Sequence, residues 1–436
     1  MDMEMLQSVK AEIAGSTAYK TLADFFDADS FCEIDAFAKS GDGVCEAVAG
    51  YGTVEGLPVY AFAQNSDICG GAMSKAQAAK LKKLYKLALK TGAPVVGFYD
   101  SVGGRLAQGT ELLAGCGDIL NLTAKLSGAV PQISVITGTC LGTNALAAAG
   151  ADFVIMTEDA KLSLDVTGAN AGAACNAENG GASSIAADTD EAVQKARELL
   201  CYLPSNNLTS APEAEALDPS PEGSCMVSKI VDGGSKFKIA DSCGKTGRIR
   251  LARMGGSVVG VVRTIGKKLD EKSSEKLAKF VRFCDAFSLP VLTVVDCAGF
   301  ENMAAAQRLI SAYAEATTVK ISVIVGKAVG SAYIALAGTG SNADAVYALP
   351  NAVISPVNVE AAAWIMAPEQ MKVPVEEQSA VAEKFAEENL SAFNAAQNGY
   401  VDGIVEETEL RVAVLSALDM LSGKRVPTVA KKHNTI

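Results

Sequence analysis

The chain has 436 residues, of which 49% are hydrophobic, and it carries a formal net charge of −12 with a single histidine. This length and apolar content predict a globular protein of about two or three domains and exclude an intrinsically disordered chain. The acidic balance argues against nucleic acid or an anionic membrane surface as a partner.

The predicted elements of the first half run from short helices, up to residue 45, to alternating strands and helices. Apolar, β-branched runs indicate buried strands, and apolar residues at helical spacing indicate helices. In chain order these are a strand–turn–strand at Val48–Gln64, a helix at Ser74–Thr91, a strand at Pro94–Asp100 with the turn Ser101–Arg105, a strand at Ile133–Ile136 with the helix Asn144–Ala149, and a strand at Ala151–Met156.

The same order returns after a Pro-rich, acidic linker at Thr209–Gly223. We therefore predict two α/β domains of one fold with mostly parallel strands, at 1–215 and 216–436. The second set comprises a strand–turn–strand at Met254–Val262, a helix at Ser273–Phe287, a strand at Pro290–Asp296 with the turn Cys297–Phe300, a strand at Ile321–Ile324 with the helix Ala332–Ala337, a strand at Ala343–Ala348, and helical regions at Val375–Gln397 and Glu409–Gly423.

One stretch occurs twice and is the strongest signal of the duplication. Ile133–Ile136 and Ile321–Ile324 both read Ile-Ser-Val-Ile. Glycines follow each copy at matching distances, namely Gly138 and Gly142, then Gly326 and Gly330. A strand, a tight turn and a helix in this order direct backbone N–H groups and the positive end of a helix dipole toward a ligand.

Each half thus has two glycine turns after two strands. If the strands are neighbours, the turns lie side by side, and two N–H donors converge on one point. Such a pair stabilises an oxyanion or an enolate. A single glycine turn usually only reverses the chain, but two matched pairs favour the functional interpretation.

The types of side chain in the sequence also favour a site built from backbone N–H groups. The one histidine, His433, lies near the C-terminus, where we expect it to be solvated, so histidine catalysis, a Ser–His–Asp triad and a histidine metal site are disfavoured. We expect no bound metal. Eleven cysteines without a CxxC pair, and no visible export signal, predict reduced thiols and a cytoplasmic location. The chemistry is then expected to use backbone N–H groups, with the base supplied by the substrate or a cofactor.

Several motifs resemble the carboxyltransferase subunits of biotin-dependent acyl-CoA carboxylases and decarboxylases. The resemblance covers nearly the whole chain and implies two tandem crotonase-like (ClpP/crotonase) domains, each a β-β-α superhelix. The motifs are Gly50–Val54, Gly92–Arg105, Pro131–Ser134, Tyr202–Asn207, Phe280–Phe287, Ala312–Ala316, Gly399–Asp402 and Lys431–His433.

In that family, a carboxyl group passes between carboxybiotin and the α-carbon of an acyl-CoA. The resemblance implies that the first half binds a short acyl-CoA and the second half binds biotin. The implied catalytic residues are Gly103, Gly104, Gly142 and Thr143 in the first half and Gly299, Phe300, Gly330, Ser331 and Ala332 in the second. The implied residues at the bound coenzymes are Arg105, Gly70, Gly71, Lys327 and Ile334.

Two of these assignments have a structural alternative. Arg105 either meets a CoA phosphate or pairs with Asp100 or Glu111. Four lysines of the first amphipathic helix either meet CoA phosphates or form a solvated face, which we favour for most of them; they are Lys75, Lys80, Lys82 and Lys83.

The resemblance also implies partners. The context of Met371–Lys372 lacks a biotin-attachment sequence, so biotin is expected on a separate biotin carboxyl carrier protein. A biotin carboxylase, or the membrane subunits of a decarboxylase, would complete the system. Homo-oligomers are expected in which the two kinds of domain face each other across a dimer, commonly within a hexamer.

Other functions stay open at this point. The chain is alternatively the carboxyltransferase subunit of a sodium-pumping decarboxylase. It is alternatively a catalytically degenerate scaffold, because Glu301–Gln307 replaces a longer segment beside the biotin pocket of the family. A crotonase-like hydratase or thioesterase would need an acidic pair near the first turn, for which the candidates are Glu111 and Asp118.

Overall fold

The computed structural model describes residues 3–40, 43–165, 167, 170–220 and 225–427. The chain divides into two compact units, Met1–Pro212 and Glu213–Ile436. The predicted motif at Lys431–His433, including the single histidine, lies outside the described residues.

The first unit combines seven described helices with ten described strands. The helices are α1 (Met3–Gly15), α2 (Thr17–Phe25), α3 (Lys75–Thr91), α4 (Thr110–Leu126), α5 (Thr143–Ala149), α6 (Ala173–Glu178) and α7 (Thr189–Leu200). The strands are β1 (Cys32–Glu33), β2 (Lys39–Ser40), β3 (Gly43–Val44), β4 (Ala47–Val54), β5 (Leu57–Gln64), β6 (Val95–Ser101), β7 (Gln132–Leu141), β8 (Phe153–Thr157), β9 (Lys161–Ser163) and β10 (Ser184–Ala186).

The second unit has a matching set, extended at its C-terminal end. Its strands are β11 (Phe237–Ile239), β12 (Gly247–Met254), β13 (Ser257–Thr264), β14 (Lys267–Leu269), β15 (Val291–Phe300), β16 (Lys320–Val329), β17 (Ala345–Ala348), β18 (Val353–Ser355) and β19 (Gly403–Ile404). Its helices are α8 (Met226–Ile230), α9 (Glu271–Ala286), α10 (Met303–Glu315), α11 (Ser331–Leu336), α12 (Val359–Met366), α13 (Val375–Asn389), α14 (Ala392–Gln397) and α15 (Leu410–Leu421).

The central sheets of the two units have the same topology. Strands β4-β5-β6-β7-β8 lie side by side in the first, and β12-β13-β15-β16-β17 in the second. The first two strands of each set are antiparallel, and all later neighbours are parallel. The predicted α/β class with mostly parallel strands is confirmed.

Each of these five-strand sets begins with a hairpin whose turn is fixed by backbone conformation. Both central residues have positive φ, at Glu55 and Gly56 (50° and 77°) and at Gly255 and Gly256 (59° and 85°). This is the geometry of a two-residue type I′ turn, which matches the twist of the flanking strands. The register of the two hairpins is consequently the same, with Ala47 opposite Gln64 and Gly247 opposite Thr264.

The helix after each hairpin packs on its sheet and is capped by a polar side chain. Ser74 Oγ accepts a hydrogen bond from the Gln77 N–H (3.1 Å) at the start of α3. Asp270 Oδ1 accepts one from the Ser273 N–H (2.7 Å) at the start of α9. Such caps satisfy N–H groups that have no partner within the helix. The cores beneath include Phe62, Leu84 and Ile136 in the first unit and Val294, Ile321 and Val323 in the second.

Several predicted segments differ from the structure. Short helices were predicted up to residue 45, but the helices end with α2 at Phe25, and strands β1, β2 and β3 follow. The predicted turn Cys297–Phe300 lies within β15. The helical region at Val375–Gln397 is two helices, because the chain breaks between α13 and α14 at Leu390–Ser391. The predicted linker forms neither helix nor strand within the described residues 209–220. Helix α12 was not predicted, and its end carries exposed apolar side chains, among them Trp364 and Ile365.

Candidate active site

The turns that follow β6 and β7 lie next to each other. The two strands are parallel neighbours, and Ser101 at the end of β6 pairs with Cys140 near the end of β7. The backbone then bends at Gly103 (φ 125°) and Gly142 (φ 64°), in conformations that favour glycine. A methyl group added at Gly103 would lie 3.8 Å from the Leu141 carbonyl oxygen, so the two bends are in near contact.

Only some of the N–H groups at these bends are available to a ligand. The Gly103 N–H donates to Ser101 Oγ (3.2 Å), and the Gly142 N–H donates to the Ser163 carbonyl oxygen (3.0 Å). The N–H groups of Gly104 and Thr143 have no acceptor among the described residues. Of the four glycine-turn positions expected to donate, two therefore shape the bends, and two are candidate donors.

The second unit repeats the second of these bends. Gly330 has φ 52°, and its N–H donates to the Ser355 carbonyl oxygen (2.8 Å), as Gly142 does to Ser163. The next two N–H groups, of Ser331 and Ala332, open α11 and have no acceptor within the described part of the chain. These two residues are the candidate donors on this side, whereas Gly330 forms the bend.

The first bend of the second unit is also reproduced. Gly299 has φ 126°, and Phe300 pairs with Leu269 of β14. Likewise, Gly104 forms a parallel bridge with Met73. Phe300 thus occupies the place of Gly104 and adds a side chain at this bend.

A buried side chain that the sequence analysis missed holds the first-unit bends together. Asn144, 1% exposed, donates from Nδ2 to Ser101 Oγ (2.7 Å) and to the Gly103 carbonyl oxygen (3.0 Å). The equivalent residues in the second unit are Ala332 and Cys297, whose thiol donates to a backbone carbonyl (3.3 Å). An asparagine within the Ala-rich segment of α5 was the available signal.

In each unit, an aspartate carboxylate accepts a hydrogen bond from the strand that leads to the second bend, which is β7 before Gly142 and β16 before Gly330. Asp100 Oδ1 accepts from the Thr139 N–H (3.0 Å), and Asp296 Oδ1 accepts from the Lys327 N–H (2.9 Å). The residue before each donor is a glycine of the repeated motif, and a methyl group there would collide with the carboxylate. These aspartates are occupied in holding strands and are not placed as free general bases.

Arg105 pairs with neither of the acids that the sequence suggested. Its guanidinium forms an ion pair with Glu46, which is fully buried, and the expected pairing with Asp100 or Glu111 is wrong. Glu111 pairs instead with Lys75 (3.0 Å). The Arg105 side chain is directed into the protein, which disfavours the predicted contact with a CoA phosphate.

Four lysines of α3 are also paired. The solvated face predicted for them is wrong for Lys80, which is buried. The pairs are Lys75–Glu111 (3.0 Å), Lys80–Glu33 (2.8 Å), Lys82–Asp118 (2.7 Å) and Lys83–Asp35 (2.5 Å).

The other predicted coenzyme-binding residues lie at the bends. The Gly70 carbonyl oxygen accepts from the Val102 N–H (3.0 Å), so the loop with Gly70 and Gly71 (φ 62° and 67°) lies against the first bend. Lys327 and Ile334 are exposed and flank the Gly330 bend in sequence.

The thiols beneath the bends are not nucleophiles. Burial raises the pKa of Cys140 to about 12, and burial also raises the pKa of Cys297, so both remain protonated near neutral pH. Within the described ranges, no cluster of three or more His, Cys, Asp or Glu side chains could hold a metal. What the bends present is therefore a pair of N–H donors.

Apolar side chains are exposed close in sequence to both sets of bends. In the first unit these are Val102, Leu146 and Leu164; in the second they are Met303, Ile334, Val357 and Trp364. Exposed apolar residues grouped around a polar site are typical of surfaces that meet a ligand or another protein. Among the described helices, none has the length and apolar character needed to cross a membrane.

Comparison with known families matches residues 15–436 to the carboxyl transferase domain. The methylmalonyl-CoA decarboxylase subunit alpha of Veillonella parvula is 34% identical, over 96% of this chain and 92% of that protein. The methylmalonyl-CoA carboxyltransferase 12S subunit of Propionibacterium freudenreichii subsp. shermanii is also 34% identical, over 96% of this chain and 90% of that protein.

A solved structure of transcarboxylase 12S has the same fold. It superposes with a TM-score of 0.91 at 30% identity, covering 99% of this chain and 98% of that chain. That structure is described as a hexamer assembly with methylmalonyl-coenzyme A and methylmalonic acid bound.

Proposed function

The chain belongs to the carboxyl transferase domain family and is an enzyme, and we propose that it transfers a carboxyl group between carboxybiotin on a separate carrier protein and the α-carbon of a short acyl-CoA. The observation that carries this proposal is the repeated bend. The first unit places N–H groups that have no acceptor among the described residues at the carboxyl ends of two parallel strands, and the second unit places two such groups at the carboxyl end of β16.

We assign the acyl-CoA side to the first unit. The N–H groups of Gly104 and Thr143 would receive the thioester oxygen and stabilise the negative charge that develops when the α-carbon gains or loses its carboxyl group. The loss of one such donor typically reduces the rate by about 10²–10³-fold. Asn144 holds the bends that position these donors.

We assign the biotin side to the second unit. The N–H groups of Ser331 and Ala332, with the exposed ammonium of Lys327 nearby in sequence, offer donors to the oxygen of a ureido ring, so the residues fit this group. Carboxybiotin, when bound, supplies the carboxyl group, and the ureido nitrogen left behind can take the α-proton. This division of labour agrees with a site that has no histidine among its described residues.

The three alternative functions are supported to different degrees by the structure and the comparisons. A hydratase or thioesterase is not supported, because Glu111 and Asp118 are exposed and paired with lysines. A degenerate scaffold is disfavoured, because the second unit keeps both bends and its donors. The decarboxylase alternative is supported by the Veillonella relative, which is named a decarboxylase subunit.

The partners follow from this assignment. A biotin carboxyl carrier protein would bring biotin to the site, together with a biotin carboxylase or membrane decarboxylase subunits. We propose a homo-oligomer in which a first unit faces the second unit of a partner copy, since both units expose apolar residues close in sequence to their bends. The hexamer assembly of transcarboxylase 12S is the precedent. The cytoplasmic location stays a prediction.

Proline substitution at the first residue of α5 and at the first residue of α11 tests the proposal. Proline is well tolerated at this position and deletes one N–H donor. Thr143→Pro should remove a donor on the acyl-CoA side, and Ser331→Pro should remove one on the biotin side. Thr143→Ala keeps the N–H group and serves as the matched control. The assay follows release of CO₂ from methylmalonyl-CoA in the presence of free biotin.

We expect both proline variants to lose about 10²–10³-fold in rate, while Thr143→Ala stays within a few-fold of the wild-type protein. No turnover by the wild-type protein with any carboxyacyl-CoA would support the scaffold instead. Proline variants as active as the alanine control would show that these N–H groups do not take part.

A further inference from the structure

Glu46 is a fully buried carboxylate close to the first bend that the chemistry above does not use. It precedes β4, and its Oε1 accepts from Ser40 Oγ (2.7 Å), while its Oε2 accepts from Ser74 Oγ (2.7 Å). The Arg105 guanidinium completes the set as an ion pair. A buried charge with this many partners is held in one position.

These partners reach the bend from two sides. Ser74 follows Met73, whose N–H donates to the Gly103 carbonyl oxygen (2.8 Å) and whose carbonyl accepts from the Arg105 N–H (2.9 Å). Arg105 itself follows Gly104 directly. Glu46 therefore holds Ser74, next to the residue that hydrogen-bonds to the bend, and Arg105, which directly follows the bend.

The same guanidinium contacts a third segment. Arg105 Nη2 lies 3.1 Å from Cys69 Sγ, and the next residue, Gly70, accepts from the Val102 N–H (3.0 Å). The backbone segments at Gly70 and Met73, which both hydrogen-bond to the bend, are thus connected to the Glu46–Arg105 pair. The Gly104 N–H has no acceptor among the described residues, and its chain neighbours Gly103 and Arg105 are both held by these contacts.

Comparison with the second unit shows which contacts of Glu46 occur in both units and which occur only in the first. Thr246 and Asp270 occupy the positions of Glu46 and Ser74, as the hairpin register and the helix caps show. The hydroxyl and the carboxylate have exchanged places, and their hydrogen bond is kept (2.8 Å). At the position of Arg105 the second unit has Glu301, so the ion pair belongs to the first unit only.

We infer that Glu46 is a positioning residue for the acyl-CoA side: through Arg105 and Ser74 it fixes the Gly103–Gly104 bend and so the direction of the Gly104 N–H donor. This inference deepens the proposed function and rests on it for its catalytic consequence. The geometric consequence, a more mobile bend when the pair is lost, can be measured without any assay of carboxyl transfer.

Three variants separate positioning from simple stability. Arg105→Gln leaves the Glu46 charge buried and unpaired and should lower Tm by roughly 5–15 °C. Glu46→Gln with Arg105→Gln removes both charges and should recover most of that Tm. The control is the exposed ion pair between Arg308 and Glu275 in the second unit. Arg308→Gln with Glu275→Gln removes one positive and one negative charge from the surface, as the Glu46/Arg105 double variant does from the interior.

We expect the Glu46/Arg105 double variant to have kcat for methylmalonyl-CoA reduced about 10–100-fold with KM nearly unchanged, despite its recovered Tm. Amide hydrogen exchange in the peptide covering 102–106 should be faster than in the wild-type protein. The Arg308/Glu275 control should change neither.

The outcomes are distinct. If kcat and exchange in 102–106 return to wild-type values together with Tm, the pair is only structural, and the inference is overturned. If the wild-type protein shows no carboxyl transfer but exchange in 102–106 still rises in the double variant, the proposed function fails while the positioning of the bend by Glu46 stands.

Discussion

The hydrogen bonds of Asn144 give a direct test of how the two first-unit bends are held together. Asn144→Ala removes the two donations from Nδ2, to Ser101 Oγ at 2.7 Å and to the Gly103 carbonyl oxygen at 3.0 Å. The backbone of α5 can remain in place, because alanine is a strong helix former and already fills most of this helix. The change therefore acts on the link between the bends.

The magnitude follows from the two bonds. Each buried hydrogen bond contributes about 0.5–1.5 kcal/mol net, so the loss is about 1–3 kcal/mol of unfolding free energy. For a unit of this size that lowers Tm by roughly 2–12 °C. Because the donors of Gly104 and Thr143 lie on the two bends, we also expect kcat to fall about 10–100-fold through misalignment.

Scanning calorimetry and CO₂ release from methylmalonyl-CoA measure the two effects. Asn398→Ala, which removes one exposed side-chain hydrogen bond in α14's C-terminal turn, is the control and should stay within about 0.5 kcal/mol. Ser101→Cys added to Asn144→Ala copies the thiol arrangement of the second unit and should recover part of the lost Tm. An Asn144→Ala protein with wild-type Tm and kcat would refute the argument that this side chain holds the bends.

Three further predictions concern other parts of the fold. Burial opposes ionisation of Asp27, but hydrogen bonds from backbone N–H groups and Arg197 outweigh this effect and lower the pKa of Asp27 to about 2. The stability that the ionised carboxylate contributes is therefore present above about pH 4 and is lost as the pH falls toward 2. Asp27→Asn should flatten the dependence of Tm on pH between these values. Gly138→Ala and Gly326→Ala each place a methyl group against the aspartate that supports a bend, and each should cost about 1–3 kcal/mol in calorimetry and lower the rate of CO₂ release. The buried ammonium of Lys320 donates to two helix-end carbonyls at 2.6 Å, so Lys320→Met should cost about 2–4 kcal/mol in chemical denaturation, and a change below 0.5 kcal/mol would contradict this account.

The strands and bends could be predicted from the sequence because the duplication displays them twice. A lone glycine after an apolar run says little, but glycines at matching distances after Ile133–Ile136 and Ile321–Ile324 indicate two copies of one backbone path. The resemblance then supplied the chemistry. Both signals are local, and both concern the main chain.

The side-chain partners could not be predicted in the same way. Arg105 pairs with Glu46, which is remote in sequence, because the hairpin and α3 bring them together. Asn144 is buried by the fold, although an asparagine within an Ala-rich segment does not by itself indicate burial. Likewise, Lys80 stands among exposed lysines but is buried against Glu33. Such pairs depend on the packing of distant segments, which periodicity does not encode.

The exchange between Glu46–Ser74 and Thr246–Asp270 has a consequence for how duplicated proteins are compared. Aligned position by position, the two halves disagree at both sites, and each disagreement looks like drift. Compared as pairs, the two halves agree, because a carboxylate still accepts a hydrogen bond from a hydroxyl between the same two positions. What descended unchanged from the ancestral half is then the bond, and either residue was free to change once its counterpart changed with it.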